Sequence, residues 1–349
     1  MPYPKLSWDI GTAYDLFISL SAIHQPVDYG LRASWAAGVR SRLTPELRET
    51  LELTVAIMRI PLHRAYCLPA PKNASVLLEY VRKLSPDERL PKFFFTDSSN
   101  GKYRDVLMNT QPKKKWSQVE AKIVRESFHN PFNHTTPNDI DLLYQAWSQR
   151  TSFGEKFYEA LKLYVDSFFN EEESRIIPSL QRGLAHAQAR AGSLPVPAML
   201  EELSLGVRFA ETLNVANLIL APSFWGAPLI YYEHLDPNTI VLLFGARPDD
   251  MALVPGDIIP ESLLRGLKAL ADPTRLRILR YLTDGPQTPT QLARILRLRA
   301  PTVIHHLLNL RMAGLVQVTV SSHGDRLYAT RLEGFESTQD NLEKFVNGE

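Results

Sequence analysis

The apolar residues of this chain change their spacing twice along its length. Over the first two hundred positions they recur every three or four residues, the helical period. Leu16, Leu20 and Ile23 share one such face, and Leu47, Leu51, Val55 and Met58 share another. Thr44-Pro45-Glu46, Ser85-Pro86-Asp87-Glu88 and Thr136-Pro137-Asn138-Asp139 each place a capping hydroxyl, a proline and an early carboxylate in the order that starts a helix. From Asp139 to Ala191, the spacing of Leu143, Trp147, Phe157, Leu161, Tyr164 and Phe168 predicts one or two long helices. Beyond residue 205 the pattern shortens. Val215 to Leu220, Leu229 to Glu233 and Thr239 to Phe244 are apolar runs bounded by Pro, Gly, Asn and Asp, which predicts a small antiparallel sheet near 207–246. Pro248, Pro255, Gly256 and Pro260, with the Asp249-Asp250 pair, then predict a linker over 251–260.

A third regime begins at Ser262. Leu263, Leu267, Leu270, Ile278, Leu279 and Leu282 fit a helix that breaks at Asp272-Pro273-Thr274 and restarts with Asp272 as N-cap. Thr288 to Leu296 reads as a short helix, Arg297-Leu298-Arg299 as a turn, and Ala300 to Ala313 as a second helix closed by Gly314. Two short helices joined in this way make a helix-turn-helix. The alternating stretches Leu315 to Val320 and Arg326 to Arg331 flank the glycine-containing turn Ser321 to Asp325 and predict a hairpin. Leu332 to Val346 predicts a last helix with an acidic outer face. The order is that of a winged helix.

Leu270-Ala271-Asp272-Pro273-Thr274-Arg275-Leu276-Arg277-Ile278-Leu279, then Leu292-Ala293, Val303, His305-His306-Leu307, Leu310 and Ala313-Gly314-Leu315-Val316 resemble the signature of ArsR-type repressors. The resemblance implies a bacterial homodimeric repressor that binds double-stranded DNA through the second helix of the motif. It also implies an interface between the first and last helices of the domain, which falls here on Leu263, Leu267, Leu270, Leu332, Leu342 and Phe345. The residues themselves support a reading role. Val303, Leu307 and Leu310 form the inward stripe of the recognition helix and leave Thr302, His305, His306 and Asn309 on the other side or its margins. Arg297, Arg299 and the wing residue Arg326 are placed to meet phosphates or the minor groove. Ala300 and Ile304 stand where the family usually has polar groups, and they offer thymine-methyl contacts instead. The cysteine pair, or the histidines and carboxylates, with which family members hold metals are missing, so neither metal nor cofactor is expected.

Charge sharpens this picture. The net charge of the 349 residues is only +1, yet 261–331 holds eleven basic and four acidic residues. The length favours more than one domain: a mainly α, α+β chain with a helical part at 1–250, the linker, and the winged helix at 261–349. The single Cys67 permits no internal disulfide, the first residues carry no secretory leader, and Val215 to Tyr232 is interrupted by Asn217, Pro222, Gly226 and Pro228. A cytoplasmic protein with no membrane span is expected.

The first 250 residues loosely resemble the helical extension of some ArsR-type regulators, which implies no chemistry. They contain no phosphate loop, dinucleotide fingerprint, metalloprotease motif or nucleophile elbow, so no enzyme is expected. Phe93-Phe94-Phe95, Trp147, Phe157, Tyr158, Phe168, Phe169, Phe224, Trp225, Tyr231 and Tyr232 are either core or the lining of a pocket for a small effector. His63 and Cys67 read as packing residues, His129 and His134 as surface histidines, and Lys113-Lys114-Lys115 as a solvated turn. Two other readings stay open: an interaction protein whose winged helix no longer binds DNA, and an enzyme fused to a DNA-binding module.

Overall fold

Capping chemistry decides where several helices begin. At Thr136, for example, the backbone N–H donates to Asp139 Oδ2 at 2.7 Å while Asp139 N–H donates to Thr136 Oγ1 at 3.3 Å. The structure, a computed structural model, describes residues 3–96, 99–112, 115–128, 136–209, 214–248, 251–255, 259–321 and 325–347. The chain opens with β1 (Lys5–Trp8), α1 (Thr12–His24), α2 (Ala33–Arg40), α3 (Pro45–Ile57), α4 (Leu62–Tyr66), α5 (Ala74–Lys83) and α6 (Pro86–Phe94). It continues through α7 (Gly101–Met108), α8 (Gln118–Ser127), α9 (Pro137–Ser148) and α10 (Arg150–Tyr164), which passes through a π turn at Val165–Phe169 into α11 (Asn170–Ala191). Then come α12 (Val196–Leu203), β2 (Val207–Phe209), β3 (Asn217–Ser223), β4 (Tyr231–Asp236) and β5 (Thr239–Gly245). The last part is α13 (Glu261–Leu270), α14 (Pro273–Leu282), α15 (Pro289–Leu296), α16 (Ala300–Met312), β6 (Val316–Val320), β7 (Arg326–Thr330) and α17 (Leu332–Asn347).

The larger sheet is ordered β1-β3-β5-β4, and it is mixed rather than antiparallel. β1, β3 and β5 run parallel, and only β4 is antiparallel to β5. The reason lies in burial. β3 and β5 are covered on both faces, as parallel strands usually are, and their side chains alternate between two cores. Ile219, Ala221, Val241 and Leu243 face the N-terminal helices, whereas Leu218, Leu220, Ile240 and Leu242 pack near Met199 and Leu200 of α12. β1 joins an edge of this sheet, a strand that the periodicity did not announce.

Most of the aromatic residues are core. Phe93, Trp147, Phe157, Phe169, Phe224 and Trp225 are fully buried, and the Phe93 and Phe157 rings meet edge-on with centroids 5.6 Å apart. They form part of the N-terminal hydrophobic core. Tyr232 is the exception, half exposed on β4. His63 is buried, its Nδ1 3.0 Å from Glu233 Oε2, joining α4 to β4, whereas Cys67, expected to pack, is exposed at the end of α4. His129, His134, Lys113 and Lys114 lie outside the described residues.

Two boundaries differ from those the sequence suggests. β2 leaves the larger sheet and pairs in parallel with β6, Val207 opposite Val318, so the second sheet is ordered β2-β6-β7. The chain is turned into that position by Leu205 and Gly206, both at positive φ (54° and 102°). Within the expected linker, Leu253 and Val254 are buried in the N-terminal core, because apolar side chains next to an apolar surface gain more by packing than by solvation. Asp249, Asp250 and residues 256–258 lie outside the described residues. Among the described residues no helix is long and apolar enough to cross a membrane.

Candidate nucleic-acid interface

Asp272 Oδ1 accepts the Arg275 N–H at 2.9 Å, which caps α14 behind Pro273. That bond, more than any neighbouring charge, holds the Asp272 carboxyl below the usual carboxylate range. Thr288 and Gln291 form a reciprocal capping box at α15, with bonds of 2.7 and 3.2 Å. The helix stops at Arg297, whose left-handed backbone (φ 56°) redirects the chain into the turn before α16. Pro301 then sits in the first turn of α16. The inward side of α16 is Val303, Leu307 and Leu310, each at 0% exposure against Ile278, Leu292 and Leu315.

The opposite side presents the reading candidates. Arg297, Arg299, Thr302, Ile304 and His305 are exposed, Ala300 is half-buried, and Arg326 is exposed at the start of β7. β6 and β7 form the antiparallel wing, closed by Asp325 N–H donating to Ser321 Oγ at 3.0 Å. Residues 322–324 of the wing turn lie outside the described residues. Two candidates are engaged elsewhere. His306 turns toward the cap of α14, its Nδ1 3.8 Å from Asp272 Oδ1, and burial holds its pKa below the ordinary histidine value. Asn309 donates to the His305 carbonyl at 2.9 Å on its own helix. Asp28 of the α1–α2 loop lies within electrostatic reach of His305, although burial dominates and raises its carboxyl pKa.

Not every basic residue of the segment faces outward. Arg311 is buried and donates to the Ser204 carbonyl of the N-terminal part. Arg275 donates to the Ala269 and Lys268 carbonyls at 3.0 and 2.7 Å. Spacing alone could have placed Arg311, since it lies eight positions after Val303 on the buried stripe.

α13 crosses α17 closely: a Cβ on Gly266 would stand 2.7 Å from Thr338 Cγ2. Outside that crossing, Leu267, Leu332, Leu342 and Phe345 are exposed, and Val346 extends the apolar surface. Leu263 does not belong to it. It is 1% exposed, and Leu270 packs partly buried on the winged-helix core, because the inner face of an amphipathic helix is consumed by its own fold.

The family described as "Bacterial regulatory protein, arsR family" matches residues 272–318. The HTH-type transcriptional regulator CmtR of Mycobacterium tuberculosis and that of Mycobacterium bovis are each 53% identical to this chain over 60 residues. That stretch is 17% of this chain and 51% of the relative, so the chain spans about half the length of the curated relatives it matches. No solved structure matches the chain significantly. Residues 272–318 therefore form an ArsR-family helix-turn-helix domain within a chain that extends far beyond the match.

Proposed function

We propose that this protein is a sequence-specific DNA-binding transcriptional regulator that acts as a homodimer and represses its target. One observation carries the reading. α16 buries Val303, Leu307 and Leu310 and leaves Thr302, Ile304 and His305 exposed between the basic turn at Arg297 and Arg299 and the wing residue Arg326. In winged helices a surface of this kind lays the second helix of the motif into the major groove while arginines fix its position on the phosphates. The unusual Ala300 and Ile304 supply methyl contacts in place of hydrogen bonds, so DNA shape carries part of the selectivity.

The exposed apolar residues on α13 and α17 support self-association, with Leu267, Leu332, Leu342 and Phe345 as the interface; Leu263 lies beneath it and Leu270 at its edge. Two recognition helices on a two-fold axis read half-sites about one helical turn apart. The N-terminal part acts as a sensing or assembly domain for a small-molecule effector, and no catalysis is assigned to it. A cytoplasmic location follows from this role. Footprinting on genomic fragments flanking the gene, with wild type and with Thr302→Ala plus His305→Ala, tests the reading. A protected palindromic site that the double variant no longer discriminates is expected. Absence of any protected site, or unchanged selectivity in the variant, contradicts it.

A further inference from the structure

Between the N-terminal part and the winged helix lies a cavity of about 130 Å3. Arginines from both sides line it: Arg247 after β5, Arg265 on α13 and Arg331 ahead of α17. Their side chains are 7%, 12% and 20% exposed, so solvent screens them only weakly. Glu261 serves two of them. Arg265 donates to its Oε1, and Arg247 Nη1 stands 3.5 Å from its Oε2, with Asp15 also within electrostatic reach of Arg247.

Arg331 is less well matched. Its ion-pair partner, Glu333, is 3.9 Å away and 72% exposed, where water weakens the attraction. Arg311, the residue before the cavity-lining Met312, is 6% exposed, and its Nη1 has no hydrogen-bond partner among the described residues. Burial first, and then the Arg331 charge, lower the Arg311 pKa to about 10. Arg331 Nη1 also donates to the Gly314 carbonyl at 3.2 Å, and Arg311 to that of Ser204. Those acceptors carry no charge, so among the described residues the solvated Glu333 beside Arg331 is the one carboxylate offsetting this neighbouring pair, and such an excess of positive charge in a poorly solvated place is costly until an anion joins it.

We propose that this junction cavity binds a small oxyanion, a phosphate or a short-chain carboxylate, held by Arg247, Arg265 and Arg331. Planar guanidinium forks suit both anions. Ser337 and Asn341 on the α17 wall add neutral hydrogen-bonding groups. The volume limits the ligand: it is below the 300 Å3 or so at which drug-sized pockets begin. A duplex phosphate fits poorly, because the guanidinium groups face the seam between the two parts and are nearly buried. An occupant would touch α13, the end of α16 and Ala227, Arg247 and Met251 together, and so tie the winged helix to the N-terminal part.

This site goes beyond the DNA-binding reading; anion binding is measured without DNA, and duplex affinity is measured alongside it. Isothermal titration of the full chain with sodium phosphate and with sodium acetate, at ionic strength held constant with chloride, should show saturable binding of at least one anion. Arg331→Gln and, separately, Asn341→Asp should each weaken it at least tenfold. Should Arg331→Gln fail to fold, Asn341→Asp on the partly exposed α17 wall decides alone. No saturable heat with either anion, or affinity within twofold of wild type in the folded variants, overturns the proposal. Unchanged anion affinity accompanied by weaker duplex binding would assign Arg331 to the DNA backbone and overturn it equally.

Discussion

Asp15 is fully buried on α1 and accepts hydrogen bonds from Ser223 Oγ at 2.7 Å, Phe224 N–H at 3.2 Å and Trp225 N–H at 2.7 Å. Those bonds favour the charged form, yet burial outweighs them and pushes the carboxyl up to about 6. A folded pKa above the unfolded one means that this group stabilises the fold below the unfolded pKa. The contribution is lost as pH rises from about 4 to about 6, roughly 3 kcal/mol for a shift of that size. His24 has the opposite sign: burial lowers it to about 4, so its contribution is present above the ordinary histidine pKa and is lost as pH falls toward 4. Denaturant melts of Asp15→Asn and His24→Gln between pH 4 and 7 should therefore differ from wild type with opposite pH slopes. Parallel curves for all three proteins would show that burial does not control these groups. The inward stripe of α16 was legible at this scale, because three apolar side chains at helical spacing have one reading. The turning of His306 toward Asp272 was not, since it depends on where α14 is capped in space.

Among elements, helix starts were the most legible, because a cap is a local bargain between a side chain and the next few amides. Strand direction was the least legible. An apolar run says that a strand is buried, and the direction of its neighbours follows from helices packed on both faces. Close crossings were equally hidden. On α10, a Cβ at Gly154 would lie 1.9 Å from the Pro86 carbonyl oxygen, backbone that cannot swing aside. Gly154→Ala should cost on the order of 3 kcal/mol in a urea melt, and a loss below about 0.5 kcal/mol would show that α6 can yield there. β2 offers a second test. Val318 N–H donates to the Gly206 carbonyl at 2.9 Å, so a fragment starting at residue 259 leaves that amide without its partner. Its hydrogen exchange should accelerate at least about tenfold relative to the full chain, whereas equal protection would make β2 an ornament.

At the scale of the whole molecule, the winged helix is not a bead on a string. β2 completes its sheet, Arg311 reaches the Ser204 carbonyl, and Arg265 donates to the Tyr29 carbonyl at 2.7 Å. Contacts of this kind tie the winged helix directly to the N-terminal part. They were invisible in the sequence because each joins residues more than a hundred positions apart. The exposed apolar face on α13 and α17 belongs to the same scale. Leu267→Glu combined with Phe345→Glu should convert a dimer into a monomer by light scattering without lowering the melting temperature of the N-terminal part, and a wild-type monomer at micromolar concentration would remove the interface.

On the proposed function, the exposed side of α16 and its flanking arginines meet duplex DNA. The most direct test is the salt dependence of binding to the footprinted duplex, measured by fluorescence anisotropy. Several phosphate contacts predict a linear fall of log affinity with log salt, and Arg299→Ala and Arg326→Ala should each reduce the slope by about one unit. A protein that ignores the duplex even in dilute buffer, or whose slope neither arginine changes, does not read DNA through this surface.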